Sequence, residues 1–238
     1  MEKIKLKIIY EDDNLLVLDK PAGIIVYPEK ERKEKTLIDL LLEKYPNLKK
    51  VGKKPRYGII HRLDKDSSGI LLIAKNDKSL IFFQKQFKEK RVEKKYLALV
   101  TGIIKNNQGV IETLIGRAPK KRKIQKVYLP AEPGSAGKRK AITEYKVIKR
   151  FKDYTLVEVS PKTGRKHQIR CHLSYLKHPI AGDKIYGFKN HPCPNELKRQ
   201  FLHAYYLKIK MAEGSDKEFK SSLPNDLKQV IKNLESQP

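Results

Sequence analysis

Cysteine is scarce in this chain: Cys171 and Cys193 are the only two among 238 residues, too few for a disulfide framework and consistent with a reducing compartment. Long apolar runs are absent as well, and no Lys/Arg-rich start leads into an apolar stretch with a cleavage site. A soluble, cytoplasmic protein is expected. The histidines and cysteines at His172, His178, His191, Cys171 and Cys193 lack paired Cys-x-x-Cys or His-x-x-x-His spacing, so no metal and no cofactor is expected. A paired-Asp motif and a Gly-rich phosphate loop are also missing, which weighs against a hydrolase or phosphatase acting on a small substrate. No internal repeat is visible.

Acidic residues are few relative to basic ones. Lys and Arg number 53 against 27 Asp and Glu, for a formal charge of +26. Such a surface favours a polyanion bound through its phosphates in a salt-sensitive manner, and nucleic acid is the leading partner. Part of the lysine content lies on solvated helix faces and needs no partner. More pointed is the block Arg117 to Lys140, with nine Lys or Arg against the single Glu132 and with Pro119, Pro130, Pro133, Gly134 and Gly137 interrupting regular structure. Either a phosphate-binding loop pair or a solvated insertion fits this composition.

The 39% hydrophobic content and recurrent apolar runs imply one sizeable core and one large domain. Residues 8–10 and 15–18 read as strands around an acidic turn, Glu11 to Asn14. Thr36 is placed to cap a helix that Pro46 ends, and Asp77 to cap another carrying Leu80, Phe83 and Phe87 on one face. A strand over Tyr96–Val100, a hairpin signal at Asn106 to Gly109 and a strand pair around Lys152-Asp153 follow. After Glu213 only a short polar helix from about Pro224 is expected. Several antiparallel strands with interspersed helices indicate an α+β class, not a doubly wound parallel sheet.

One segment stands apart. His61-Arg62-Leu63-Asp64-Lys65-Asp66-Ser67-Ser68-Gly69 runs straight into the apolar strand Ile70 to Ala74. A carboxylate held on a tight turn by a rigid strand, with cations beside it, has the setting of an activated acid. A plain strand-capping loop is the other reading of an isolated Asp-Ser-Ser-Gly.

The full nine residues closely resemble the signature of the RluA-type pseudouridine synthases, which isomerise uridine in RNA. Further segments fit that family in order: Leu18 to Gly23, Lys95 to Val100, Thr163 to Arg170, His178 to Asp183 with Tyr186-Gly187, and Gln200 to Ala204. The resemblance covers roughly residues 8 to 210. It implies a pseudouridine synthase fold with a mixed, mostly antiparallel central sheet, and structured RNA, ribosomal or transfer, as partner. The family-like segments begin within about ten residues of Met1, so the resemblance implies a single catalytic domain over 1–238 without an N-terminal accessory RNA-binding domain. Target choice would then rest on basic loops 49–57 and 117–140. A monomer is the expected state for so charged a surface.

By the same resemblance Asp64 is the catalytic carboxylate, Arg165 the cation that keeps it ionised and oriented, and Tyr96 the ring that stacks on the target base. His61, Arg62 and Leu63 flank the acid as substrate-binding residues, Arg62 being placed to hold a phosphate or to fill the gap left by an extracted nucleotide. A helix over 166–176 would line up His167, Arg170, Ser174 and Lys177 opposite Ile169, Leu173 and Leu176. His167 and Arg170 then either contact RNA or brace the site. Two positions depart from the family pattern: Ser67 where Thr is common, and Tyr27 where His is often found. The competing function is a catalytically silent RNA-binding or ribosome-assembly protein on the same fold.

Overall fold

A computed structural model describes residues 6–28, 34–119, 124–188 and 192–236, arranged as two compact units: Met1–Glu93 with Ala204–Ser222, and Lys94–His203 with Leu223–Pro238.

In the first unit, β1 (Lys7–Glu11) and β2 (Leu15–Lys20) form the expected hairpin. Its turn is closed by the Asp12 carboxylate, which accepts from Asn14 N–H and Leu15 N–H at 2.8 and 2.7 Å. Both N–H groups would otherwise be orphaned at the bend. β3 (Ser68–Ala74) pairs antiparallel with β2 and is buried along its whole length. A strand apolar on both faces must be covered on both. β9 (Leu202–Lys210), in this unit from Ala204 onward, neighbours β3, and β10 (Asp216–Lys220) pairs antiparallel with it.

Two helices complete this unit. α1 (Leu37–Lys44) buries Leu37, Ile38 and Leu41, and its start is fixed by Asp39, which accepts from the Thr36 N–H and hydroxyl at 2.8 and 2.7 Å. α2 (Asp77–Lys88) buries Leu80 and Phe83 as its periodicity predicts. Its cap is Asn76 rather than Asp77, with the Asn76 side chain accepting from Ser79 N–H at 2.9 Å. The Asp77 carboxylate instead accepts from Gly52 N–H at 2.6 Å and pins the basic loop before β3.

The second unit carries β4 (Glu93–Thr101, in this unit from Lys94), β5 (Gln108–Arg117), β6 (Gln125–Tyr128), β7 (Arg139–Arg150) and β8 (Tyr154–Pro161), in the order β4-β8-β7-β5-β6, every pairing antiparallel. The hairpin signal at Asn106 to Gly109 lies where the chain passes from β4 to β5, but the two strands are not neighbours and form no hairpin. Asn107 is held instead by Val147 N–H and by the Arg150 guanidinium, and Arg150 also binds the Ile104 and Lys105 carbonyls, so the segment crosses to β7. Part of the block expected to be irregular is β6. The cluster Lys120 to Lys123 lies outside the described residues.

α3 (Gln168–Tyr175) is shorter than the helix expected over 166–176, because His167 stands in the left-handed region at φ 56°. α4 (Asn225–Glu235) is more than a polar tail: Leu227, Val230 and Leu234 are buried in the same cluster as Leu99, Val157 and Phe201. Its three apolar residues at i, i+3 and i+7 mark one inward stripe. Burial of each such side chain contributes roughly 1.5–3 kcal/mol. The whole is α+β and largely antiparallel, as expected from the sequence.

Candidate active site

The Asp64 turn is built from below. Lys20 is fully buried at the end of β2, and its ammonium donates to the carbonyls of Pro21, Lys65 and Ser67 at 2.8, 3.0 and 2.9 Å. Three carbonyls converging on one ammonium satisfy all of its donors, which is what a buried lysine requires. Gly23 N–H adds a bond to the Lys65 carbonyl at 2.9 Å, and Ser67 N–H closes the turn onto the Asp64 carbonyl at 3.2 Å. Asp64 is half-buried at the head of this loop, while Leu63 beneath it is 5% exposed. The segment Leu18 to Gly23 therefore supports the loop that carries the acid.

Gly69 is required where the turn enters β3. Its φ is 117°, and a Cβ there would lie 2.2 Å from the Ala204 carbonyl oxygen. Only glycine meets both conditions.

The residues flanking Asp64 turn toward the protein. His61 accepts the Leu72 N–H at Nε2 at 3.2 Å and stacks on Phe87, ring centroids 4.7 Å apart. Arg62 donates to the Tyr27 hydroxyl at 3.1 Å and lies over the Tyr27 ring at 4.9 Å, with Arg56 over the same ring at 5.1 Å. Tyr27 thus orients Arg62 through hydroxyl and ring together. A position that departs from the family pattern is thus tied directly to the residue beside Asp64.

In the second unit, Tyr96 is half-buried on β4, paired with Val159 and packed against the main cluster. Lys94 leaves the same face of the strand two residues earlier. Burial pushes its ammonium down to about 8, so part of the population is neutral near physiological pH. Nothing in the sequence distinguished Lys94 from its many neighbours.

Arg165 occupies the loop between β8 and α3. The Thr163 hydroxyl accepts from Ile142 N–H at 3.0 Å and donates to Gln168 Oε1 at 2.7 Å, and the same oxygen accepts Arg165 N–H at 2.9 Å. Gln168 in turn donates to the Ile142 carbonyl and the Thr143 hydroxyl, both at 2.9 Å. The loop is stitched to β7, and Arg165 Nε donates to the Lys140 carbonyl at 3.0 Å. Partial burial, and then the nearby Arg139, lower the affinity of Arg165 for its proton, but from so high a starting value the guanidinium stays charged.

The polar stripe expected on α3 does not form. Arg170 is 5% exposed and makes a two-pronged ion pair with Asp183 at 2.7 and 2.9 Å, while its guanidinium lies 5.1 Å over Tyr186. Burial pushes the Asp183 carboxyl up, but Arg170 and the N–H groups of Ile185 and Tyr186 outweigh it and hold the acid below the usual carboxylate range. Of the two readings open for Arg170, this geometry is that of a brace.

His167 Nδ1 lies 3.0 Å from the Tyr186 hydroxyl, which also accepts from Gln125 N–H at 2.9 Å. Behind this layer His172, fully buried, bonds Thr113 and Thr143 through its two nitrogens at 3.0 and 2.8 Å. Burial lowers its pKa to about 4, so it is a neutral structural group.

Residues 14–175 match the model of the RNA pseudouridylate synthase family, and the chain belongs to that family. It is 41% identical over 225 residues to the ribosomal large subunit pseudouridine synthase D of Borreliella burgdorferi, covering 93% of this chain and 66% of that protein. Its identity to the enzyme of the same name from Nitrosomonas europaea is 40%, over 98% of this chain and 67% of the relative. The chain spans about two thirds of the length of these relatives. Among solved structures, human RNA pseudouridylate synthase domain containing 4 is similar at TM-score 0.77 and 26% identity, over 96% of this chain and 93% of that one. Human RNA pseudouridylate synthase domain containing 1 gives 0.71 and 27%, over 100% and 99%.

Proposed function

We propose that this chain isomerises uridine to pseudouridine in structured RNA, with ribosomal RNA as the first substrate to test. The observation that carries this reading is the Asp64 turn: a carboxylate on a loop anchored by a buried lysine, inside a nine-residue motif that the matched family region spans. The relatives' names point to the large ribosomal subunit; the +26 formal charge fits a polyphosphate substrate.

In this reading the bond between uracil N1 and ribose C1′ breaks, the base turns within the site, and C1′ rejoins at C5. The C5 proton is then lost to solvent and N1 takes up a proton, so no redox partner is needed. Asp64 supplies the carboxylate, acting on the sugar or on the base. By the family motif Arg165 is the cation assigned to that carboxylate, and Tyr96 stacks on the flipped base. Arg62, oriented by Tyr27, faces the flanking phosphate, with His61 and Leu63 as the walls of the turn. His167 binds RNA, and Arg170 braces the helix behind it through Asp183. The protein works as a monomer in the cytoplasm.

Incubation with ribosomal RNA transcribed with tritium at uridine C5 tests the reading. Tritium released to water, in an amount matching a small number of sites per transcript, is the expected result. Tight, salt-sensitive RNA binding without release would instead make the chain a silent binder.

A further inference from the structure

Arg139 stands at the first position of β7, in register with Ile115, while Ala141 is in register with Thr113. Ile115 and Ala141 are buried, and Thr143, two residues on, receives Gln168 and His172. Alternation along the strand therefore puts Arg139 on the face of β7 over which the 163–168 loop is laid. Arg165 comes down from that loop and ties its Nε to the Lys140 carbonyl, the residue next to Arg139. Two guanidinium groups are brought to one edge of one face.

Three lysines of the same unit are each paired with a glutamate. Lys140 pairs with Glu112 at 2.5 Å, Lys162 with Glu144 at 2.7 Å and Lys126 with Glu132 at 2.8 Å. Within this unit, among the described residues, neither Arg139 nor Arg165 is bridged to a carboxylate. Arg139 is exposed, and its like charge adds to partial burial, the larger cause, in lowering the affinity of Arg165 for its proton. An unneutralised arginine pair is what a phosphate-binding surface presents, since each planar fork meets phosphate oxygens with two parallel donors.

We propose that Arg139 is an RNA-binding residue that holds a phosphodiester next to the target uridine, beside Arg165 on the β7 face. This rests on the isomerase reading given above. The contact is made to the backbone and carries no base identity, so it sets affinity and register, not sequence preference.

The test compares Arg139→Gln, Arg139→Lys and, as a control of equal charge change, Lys228→Gln on the exposed face of α4, using tritiated ribosomal RNA over a range of salt. For Arg139→Gln a KM about tenfold higher is expected, with kcat within about threefold. The slope of log kcat/KM against log salt should fall by about one, the signature of one lost phosphate contact. Arg139→Lys should keep that slope, because the charge persists. A KM and slope for Arg139→Gln equal to those of Lys228→Gln would overturn the inference while leaving the isomerase reading standing. Absence of release by the unaltered protein would overturn both.

Discussion

The ammonium of Lys20 donates at 3.0 Å to the carbonyl of Lys65, the residue that follows Asp64. A fully buried cation, 45 positions before Lys65 in sequence, thus fixes the backbone on which the Asp64 carboxylate stands. Its other donors go to Pro21 and Ser67, so the loop is held on both sides of Asp66.

Replacing this lysine by Met keeps the apolar stem and removes every donor. Buried carbonyls left without partners cost about 1–3 kcal/mol each, and a total of about 3 kcal/mol or more is expected. Thermal melting of Lys20→Met should fall by roughly 6–12 °C for a chain of this size, with loss of turnover. An unchanged melting temperature would show that water replaces the ammonium.

Thr163→Val tests how Arg165 is aimed. The substitution is nearly isosteric but leaves the Ile142 N–H unbonded and releases Gln168 Oε1. Stability should drop by about 1–3 kcal/mol, and kcat should fall about tenfold or more through misplacement of Arg165, with a smaller change in KM. Single-turnover rates separate this from a binding defect.

Arg170 and Asp183 form a buried ion pair whose rupture leaves one charge stranded. Asp183→Asn should destabilise the protein by about 3–5 kcal/mol at neutral pH. The Asp183 pKa is lowered in the folded state, so its contribution is present above the unfolded carboxyl value, about 3.9, and is lost as pH falls through the lower folded value. Urea denaturation of the two proteins should converge in strong acid.

His172 governs a different window. Its folded pKa of about 4 lies below the ordinary 6.5, so the unfolded chain binds the extra proton first. Stability is full above about 6.5 and declines as pH falls toward 4, by about 3 kcal/mol in all. His172→Gln, which cannot take up that proton, should be less stable at pH 8 yet nearly flat across pH 7 to 4.5. A parallel decline in both proteins would assign the acid sensitivity elsewhere.

Much of this was legible because local signals and tertiary demand agree. Glu11 to Asn14 closes the first hairpin, Thr36 starts α1, and Lys152-Asp153 turns β7 into β8, each through short-range polar groups readable in a row. Where a residue's partner is distant, the reading fails. Asn106 to Gly109 has hairpin chemistry, but Arg150 captures Asn107 from more than forty residues away. Arg170 has the look of an exposed helix cation and is buried because Asp183 meets it from the following loop. Asp64, Tyr96 and Arg165 stood out through their motifs, whereas the bonds that Lys20 and Tyr27 make to the Asp64 segment exist only in the folded chain.

The most direct measurement is single-turnover tritium release from C5-labelled ribosomal RNA by the Asp64→Asn variant, beside its affinity for the same RNA. The substitution keeps shape and removes the carboxylate. Release at background with RNA affinity within about threefold of the unaltered protein is the predicted result. Release at an undiminished rate would contradict the assignment of Asp64 as the catalytic group.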